Sequence, residues 1–290
     1  MGKLKVAVRI PYAGDFTKRD IIDVMRIADQ ANFHSAWVAD HIVYPAGETD
    51  SRNPHAAYPR ELMAAPAYEA LTVMAFAAAV SERTPIGVGC LVAPQREPLL
   101  MAKQVASIDR LSGGRVIFGA VGGWLEDEFK ALGMPFDHRG ARLEEAIAVM
   151  RACWEEDIPS WRGEYYGFDP VFFQPKPAQR PLPVWFGGTE KTLKRAALLG
   201  DGFYGSKLSP EQAANACAAL TEYRAQGPRA GHPFTTMASI PGKQATTPSE
   251  IRDWLAQYQD TGLDVIFLDC DVREGPTFVK VVAAAAEVVG

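Results

Sequence analysis

The 290-residue sequence has only four cysteines, Cys90, Cys153, Cys217 and Cys270, and no two of them form a C-x-x-C pair. Such scattered thiols read as reduced core residues, which argues against a disulfide framework or a zinc site. The five histidines, His34, His41, His55, His138 and His232, show no ligand spacing either, so no metal is expected. Positive charge is not in excess. Thirty Lys and Arg stand against 35 Asp and Glu, giving a formal net charge of −5 and a pI near 5.6, which supplies no basic field for nucleic acid. Long apolar runs are missing too: the stretch from Leu71 to Val80 is far too short to span a membrane. The opening MGKLKVAVRI leads directly into a strand without a cleavable apolar segment, so the expected location is the cytoplasm. There is no short internal repeat.

What the chain does have is a stretch around which the rest is arranged, VASIDRLSGGRVIFGAVGGWLEDEF, from Val105 to Phe129. The helix before it starts at Pro98, suited to a first helical position, and buries Met101, Val105 and Ile108. Ser112, Gly113 and Gly114 close that helix and turn the chain, and Arg115 introduces the unbroken apolar run Val116, Ile117, Phe118 of a strand covered on both faces. The strand runs into Gly119, Gly122 and Gly123, and Trp124 opens the next helix. Two readings fit: glycines that admit a ligand at the carboxyl end of a parallel strand, or a tight βα turn with none.

Taken in order, Lys5 to Ile10 alternates as a first strand, and Thr17 with Asp20 forms a capping-box start for a helix burying Ile21, Val24, Met25 and Ala28. Ser35 to Ala39 is a second strand, which delivers Asp40 and His41 at its end. Residues 42–66 follow, with Pro45, Pro54, Pro59 and Pro66 among Tyr44, His55, Tyr58 and Arg60, and read as a lid or insertion. Ala67 to Val80 reads as a helix and Ile86 to Val92 as a third strand. A helix from Ala141 buries Leu143, Ile147, Met150 and Trp154. Residues 157–183, rich in Pro and aromatics, read as an excursion or small hairpin outside the core. Strands at Val184, Gly202 to Gly205, Thr235 to Ile240 and Val265 to Leu268 complete eight, with Ser209/Gln212 and Thr247/Glu250 marking helix starts between them. Eight strands alternating with eight helical patterns predict an α/β fold, a single (β/α)₈ TIM barrel over residues 1–290 with insertions at the C-terminal face.

In such a barrel the active site lies at the carboxyl ends of the strands. Asp40, His41, Gly89, Cys90, Gly122, Gly123, Trp124, Gly187, Gly188 and Thr189 all fall there. Two glycines before a helix carrying the hydroxyls of Thr189 and Thr192 fit an anion site for a phosphate, the alternative being an ordinary capped turn. Arg115 is a candidate for a bidentate charge on the same phosphate. Histidine is the side-chain type suited to proton exchange near neutral pH, so His41 is the candidate catalytic residue, and Asp40 can bond a ligand nitrogen or a nearby backbone group. Because neighbours on a strand point apart, the two are expected to act separately, one on cofactor and one on substrate. Trp124 is either a buried aromatic or a ring against the ligand.

These residues carry a resemblance. WVADH at Trp37 to His41, RLSGGRVIFGAVGGW at Arg110 to Trp124 with EDEF after it, RGARLEEA at Arg139 to Ala146, and PVWFGG with LGDGF between Pro183 and Phe203 resemble the luciferase-like monooxygenase superfamily. The likeness runs from about Lys5 to Gly275 and is strongest to the deazaflavin branch, the oxidoreductases dependent on coenzyme F-420. It implies a flavin-type ring over the strand ends, against Asp40 and the Gly89–Cys90 peptide, which in the family is often a non-prolyl cis bond. The cofactor chain would pass Gly122 and Gly123 and reach phosphate sites at Gly187, Gly188 and Thr189, and His41 matches the histidine near the reacting carbon. Many relatives read G-V-G-V-G-W where this chain has Gly119 to Trp124. The sugar-phosphate dehydrogenases of the branch have a carboxylate where Trp124 stands, which argues for a more apolar substrate. The implied function is hydride transfer between coenzyme F-420 and a small organic molecule. An FMN-dependent monooxygenase and a non-catalytic flavin-binding barrel are the alternatives. The expected partners are a small-molecule substrate, a second copy in a homodimer and, where reduced cofactor is consumed, a separate flavin or deazaflavin reductase. No nucleic acid or membrane partner is expected.

Overall fold

The computed structural model describes residues 4–46, 64–240, 246–268 and 272–289. Eight parallel strands close a barrel: β1 (Lys5–Arg9), β2 (Ser35–Val38), β3 (Ile86–Val92), β4 (Val116–Val121), β7 (Val184–Gly188), β8 (Gly202–Gly205), β9 (Thr235–Ser239) and β10 (Val265–Leu268). Each pairs with its sequence neighbours, and β1 closes on β10. The TIM barrel expected from the count of eight is therefore the fold. Between the strands run α1 (Lys18–Gln30), α2 (Ala70–Val80), α3 (Pro98–Leu111), α4 (Glu126–Ala131), α5 (Arg139–Glu155), α6 (Leu193–Leu199), α7 (Pro210–Ala225), α8 (Pro248–Tyr258) and α9 (Gly275–Val289). No helix among the described residues is long and apolar enough to cross a membrane.

The helix starts follow local chemistry. The Thr17 N–H donates to Asp20 Oδ2 at 2.8 Å, and the Ser209/Gln212 and Thr247/Glu250 pairs form complete capping boxes. The excursion is the expected hairpin, β5 (Trp161–Arg162) against β6 (Gly167–Phe168), separate from the barrel. Most of the anticipated lid, including His55, Tyr58 and Arg60, lies outside the described residues, as does Cys270.

Alternation along the strands divides the interior in two. Ala36, Val38, Phe118, Phe186 and Phe203 face the helices, whereas Ala7, Trp37, Ile117, Trp185, Tyr204, Met237, Val265 and Phe267 fill the barrel. The two indoles Trp37 and Trp185 lie 5.1 Å apart, and Tyr204 stacks on Trp37 at 6.2 Å. Rings of this size fit only because adjacent strands carry glycine beside them: a Cβ at Gly87 would lie 2.4 Å from the Trp37 ring, and one at Gly202 would lie 2.6 Å from Trp185.

Gly87→Ala is accordingly expected to lower stability by about 1–3 kcal/mol through overpacking. Denaturant unfolding measures it, and Trp37→Phe in the same chain should restore part of the loss.

Candidate active site

The mouth of the barrel is built on two buried carboxylates. Asp40 follows β2, and its side chain is fully buried. Its Oδ2 accepts the Val92 N–H at 2.9 Å and Arg96 Nη1 at 2.8 Å, while Oδ1 accepts Arg96 Nη2 at 2.8 Å. This is a bidentate fork. Arg96 also reaches Glu69 Oε1 at 3.1 Å, and Glu69 caps α2 by accepting the Thr72 N–H at 2.8 Å. Burial works against the Arg96 charge, but Asp40 and Glu69 outweigh it and raise the guanidinium pKa. Of the two partners expected for Asp40, a ligand nitrogen or a nearby backbone group, the structure shows the second, the Val92 N–H, and adds Arg96. Both of its oxygens are engaged below the surface, and it supports the site from behind.

His41 takes a different partner. Its Nδ1 lies 3.1 Å from Oε2 of Glu128 in α4, whose Oε1 accepts the backbone N–H groups of Ile42 at 2.7 Å and Val43 at 3.3 Å. Burial tends to raise the Glu128 pKa, but the bonds from His41 and Ile42 and the charge of His41 bring it below its ordinary value. An ionised carboxylate can only accept, so Nδ1 carries the hydrogen. A carboxylate that orients a histidine in this way is the arrangement of general acid–base sites. Tyr44 packs tilted against the imidazole at 4.6 Å and Trp124 meets it edge-on at 5.8 Å, so both rings of the apolar wall touch the candidate catalytic group. Asp40 and His41, side by side in sequence, thus act through separate partners.

The glycine positions mostly make room for side chains. The Gly89–Cys90 peptide is cis, as the resemblance implied, and the β3–β4 register shifts between Val88 and Leu91. A Cβ at Gly89 would lie 2.9 Å from the Trp37 ring. The Cys90 sulfur occupies the space beside Gly187, where a Cβ would be 2.3 Å away; burial, reinforced by Asp40, raises its pKa and keeps it a thiol. Gly188 has φ +137°, and a Cβ there would lie 2.8 Å from Thr192 Oγ1, which donates to the Thr189 carbonyl at 2.7 Å. The segment expected as one helix from Thr189 is a 3₁₀ turn, Glu190–Thr192, leading into the seven-residue α6. The regular helix amino terminus anticipated for phosphate is therefore replaced by a short, tighter turn with Thr192 tucked under it. Gly123, at φ +81°, lies against Val92 and Phe129, whereas a Cβ at Gly122 would only touch Arg139 at 3.6 Å.

Arg115 requires a correction. It precedes β4 at the amino end of the barrel, opposite the mouth. Its guanidinium donates to the carbonyls of Ala78, Ser81, Thr84 and Ser112 and to Ser81 Oγ at 2.8–3.1 Å, joining α2 to the α3–β4 turn. One cation at the mouth is Arg139, whose Nε donates to the Gly123 carbonyl at 3.0 Å and whose guanidinium lies over Phe136. A cavity of about 440 Å³ also opens at the amino end, between Arg224, His232, Phe234, Thr236 and Asp264. Arg224 there is bonded to four backbone carbonyls, a structural role. Among the described residues no group of His, Cys, Asp and Glu could hold a metal ion.

Sequence reading missed Arg96 and Glu128. Glu128 had a signal: it lies three residues after buried Leu125, on the side of the helix start where a carboxylate needs a partner. Arg96 follows the 3₁₀ turn Ala93–Gln95, which has no periodicity to betray it.

The luciferase-like monooxygenase family matches residues 5–276, and the chain belongs to it. The chain spans 46–64% of the length of the first curated relatives it matches. It is 33% identical over 170 residues to the FMNH(2)-dependent dimethylsulfone monooxygenase of Pseudomonas putida, a match covering 57% of this chain but only 46% of that one. Monooxygenase RslO1 from Streptomyces bottropensis shares the fold, with a TM-score of 0.79, 20% identity and coverage of 99% of this chain and 98% of that one. An F-420-dependent secondary alcohol dehydrogenase, solved with an F-420-acetone adduct, gives the same TM-score and coverages at 17% identity.

Two outcomes follow from the carboxylates. Arg96→Met strands the Asp40 charge in the interior and should cost about 3–5 kcal/mol of unfolding free energy, part of which returns with Asp40→Asn. Glu128 has a folded-state pKa below its ordinary 4.5, so its stabilisation is present above that value and is lost as pH falls through the lowered one. Glu128→Gln should remove that acid-side component from a plot of Tm against pH.

Proposed function

We propose that the protein transfers a hydride between coenzyme F-420 and a small, apolar organic substrate. The observation that carries this reading is the His41–Glu128 pair at the mouth of the barrel. Interconverting an alcohol and a carbonyl moves a proton at oxygen together with a hydride at carbon, and a carboxylate-backed imidazole meets that need. The deazaflavin, when bound, supplies the hydride chemistry at its ring carbon. The chain's own residues do the rest. His41 exchanges the proton at Nε2, Glu128 holds the imidazole in one tautomer, and Trp124 and Tyr44 present apolar surface beside it. The Asp40–Arg96 pair fixes the backbone from which His41 projects. The fit to a cofactor phosphate rests on Arg139 with the bare backbone of Gly122, instead of Arg115.

A second reading, an FMN-dependent monooxygenase, is favoured by the likeness to the dimethylsulfone monooxygenase. It would draw reduced flavin from a separate reductase.

Titration of the purified protein with each cofactor, followed by visible absorbance, separates the two. Binding of F-420 with substrate turnover independent of oxygen is the expected result; tight FMN binding without F-420 binding would reverse the choice. His41→Asn should lower turnover by about two to four orders of magnitude with cofactor affinity within a few-fold, and unchanged turnover would remove His41 from the chemistry.

A further inference from the structure

The floor of the barrel, at the amino ends of the strands, holds a polar chain that the proposed reaction does not use. His34 precedes β2; its N–H is tied to the Val6 carbonyl at 2.7 Å, and its ring turns under the barrel to lie 6.2 Å from Trp185. Its Nδ1 is 2.8 Å from the Ser35 hydroxyl, which accepts the indole N–H of Trp37 at 2.6 Å. Ser35 and Trp37 are both 0% exposed, so the chain runs from the floor into the packed interior.

Counting hydrogens fixes the direction of these bonds. An indole N–H can only donate, so the Ser35 oxygen accepts from Trp37 and has one hydrogen of its own to place. Among the described residues the other partner of that hydroxyl is His34 Nδ1. Nδ1 therefore accepts, and the imidazole is neutral with its hydrogen on Nε2. Charging the ring would put a hydrogen on Nδ1 as well. The Ser35 oxygen has a second lone pair to receive it, but its own hydrogen would then be left in the interior without an acceptor among the described residues. Burial and Lys5 at the start of β1 also oppose the charge, while Asp264 before β10 favours it, and the imidazole pKa falls from 6.5 to about 4.

Trp37 has no slack to absorb a change at its nitrogen. A Cβ at Gly87 would lie 2.4 Å from its ring and one at Gly89 2.9 Å, Tyr204 stacks on it at 6.2 Å, and Trp185 stands 5.1 Å away. We propose that His34 is an acid-sensitive switch in the barrel floor: on protonation the Ser35 hydroxyl turns, the bond it offers to Trp37 changes direction, and the indole shifts against Gly87 and Gly89 of β3. Gly89 adjoins Cys90 at the mouth, so the shift reaches the wall of the site. The unfolded chain, with its histidine near 6.5, binds the proton more readily than the folded one. Stability from the neutral floor is thus complete above about pH 6.5 and is lost as pH falls towards 4.

Neither cofactor nor substrate is needed for the test. The Trp37 indole N–H resonance, identified as the one lost in Trp37→Phe, is followed with the His34 ring signal from pH 7 to pH 4. It is expected to move with the His34 titration in the wild-type chain and to stay in place in His34→Gln. In Ser35→Ala the link is cut, so His34 still titrates and Trp37 does not follow, a difference that a merely buried histidine would not produce. A Trp37 resonance that stays in place while His34 titrates, or that moves equally in His34→Gln, overturns the proposal. Should acid unfold the chain before the resonance moves, urea unfolding at pH 7 and pH 5 decides. The unfolding constant should then rise about twentyfold more in the wild type than in His34→Gln, with Ser35→Ala between them. Equal rises in the wild type and either variant would overturn the switch.

Discussion

The bidentate bond between Asp40 and Arg96 ties together the loops that make the mouth of this barrel. Asp40 belongs to the end of β2, Arg96 to the turn after β3, and Glu69, the second acceptor for Arg96, to the start of α2. A charge buried alone would be too costly to keep, so each of these groups fixes the place of the others. His41 projects from the residue next to Asp40, and Gln95 from the residue next to Arg96. His41 meets Glu128, brought in by α4 after β4. The rigid ion pair therefore sits one residue from His41 after β2 and one residue from Gln95 after β3.

Two carboxylates near each other acquire different characters from their partners. Asp40 faces a guanidinium that never gives up its proton in the working range of pH, so its role is fixed geometry. Glu128 faces an imidazole and backbone donors, and it meets a ring that can carry hydrogen on either nitrogen. Environment, not residue type, sets the two apart.

The interior follows another rule, in which size on one strand is matched by absence on the next. Trp37 and Trp185 occupy the barrel because Gly87 and Gly202 leave room, and Cys90 and Thr192 fill the spaces at Gly187 and Gly188. Several glycines that read as openings for a ligand are, in the folded chain, openings for a neighbour. Gly122 keeps a free side, next to Arg139.

The sequence by itself determined the eight strands, the helix starts at Thr17, Ser209 and Thr247, the hairpin between β4 and β7, and the placement of Asp40, His41 and the glycines at the strand ends. These are consequences of period, caps and turns, which act over a few residues. Motifs quoted from Trp37 to Phe203 also carried the family. The tertiary structure decided who meets whom. Arg115 looked like a phosphate ligand because it adjoins a glycine-rich strand, yet the strand's direction sends it to the opposite end of the barrel. The guanidinium on Asp40 went unseen because Arg96 lies 56 residues away, and His41 looked solitary because Glu128 lies 87 residues away. Side-chain pairing across βα loops is set by closure of the barrel, which no local pattern encodes, and for that reason the carboxylate that meets His41 could be found only in the folded chain.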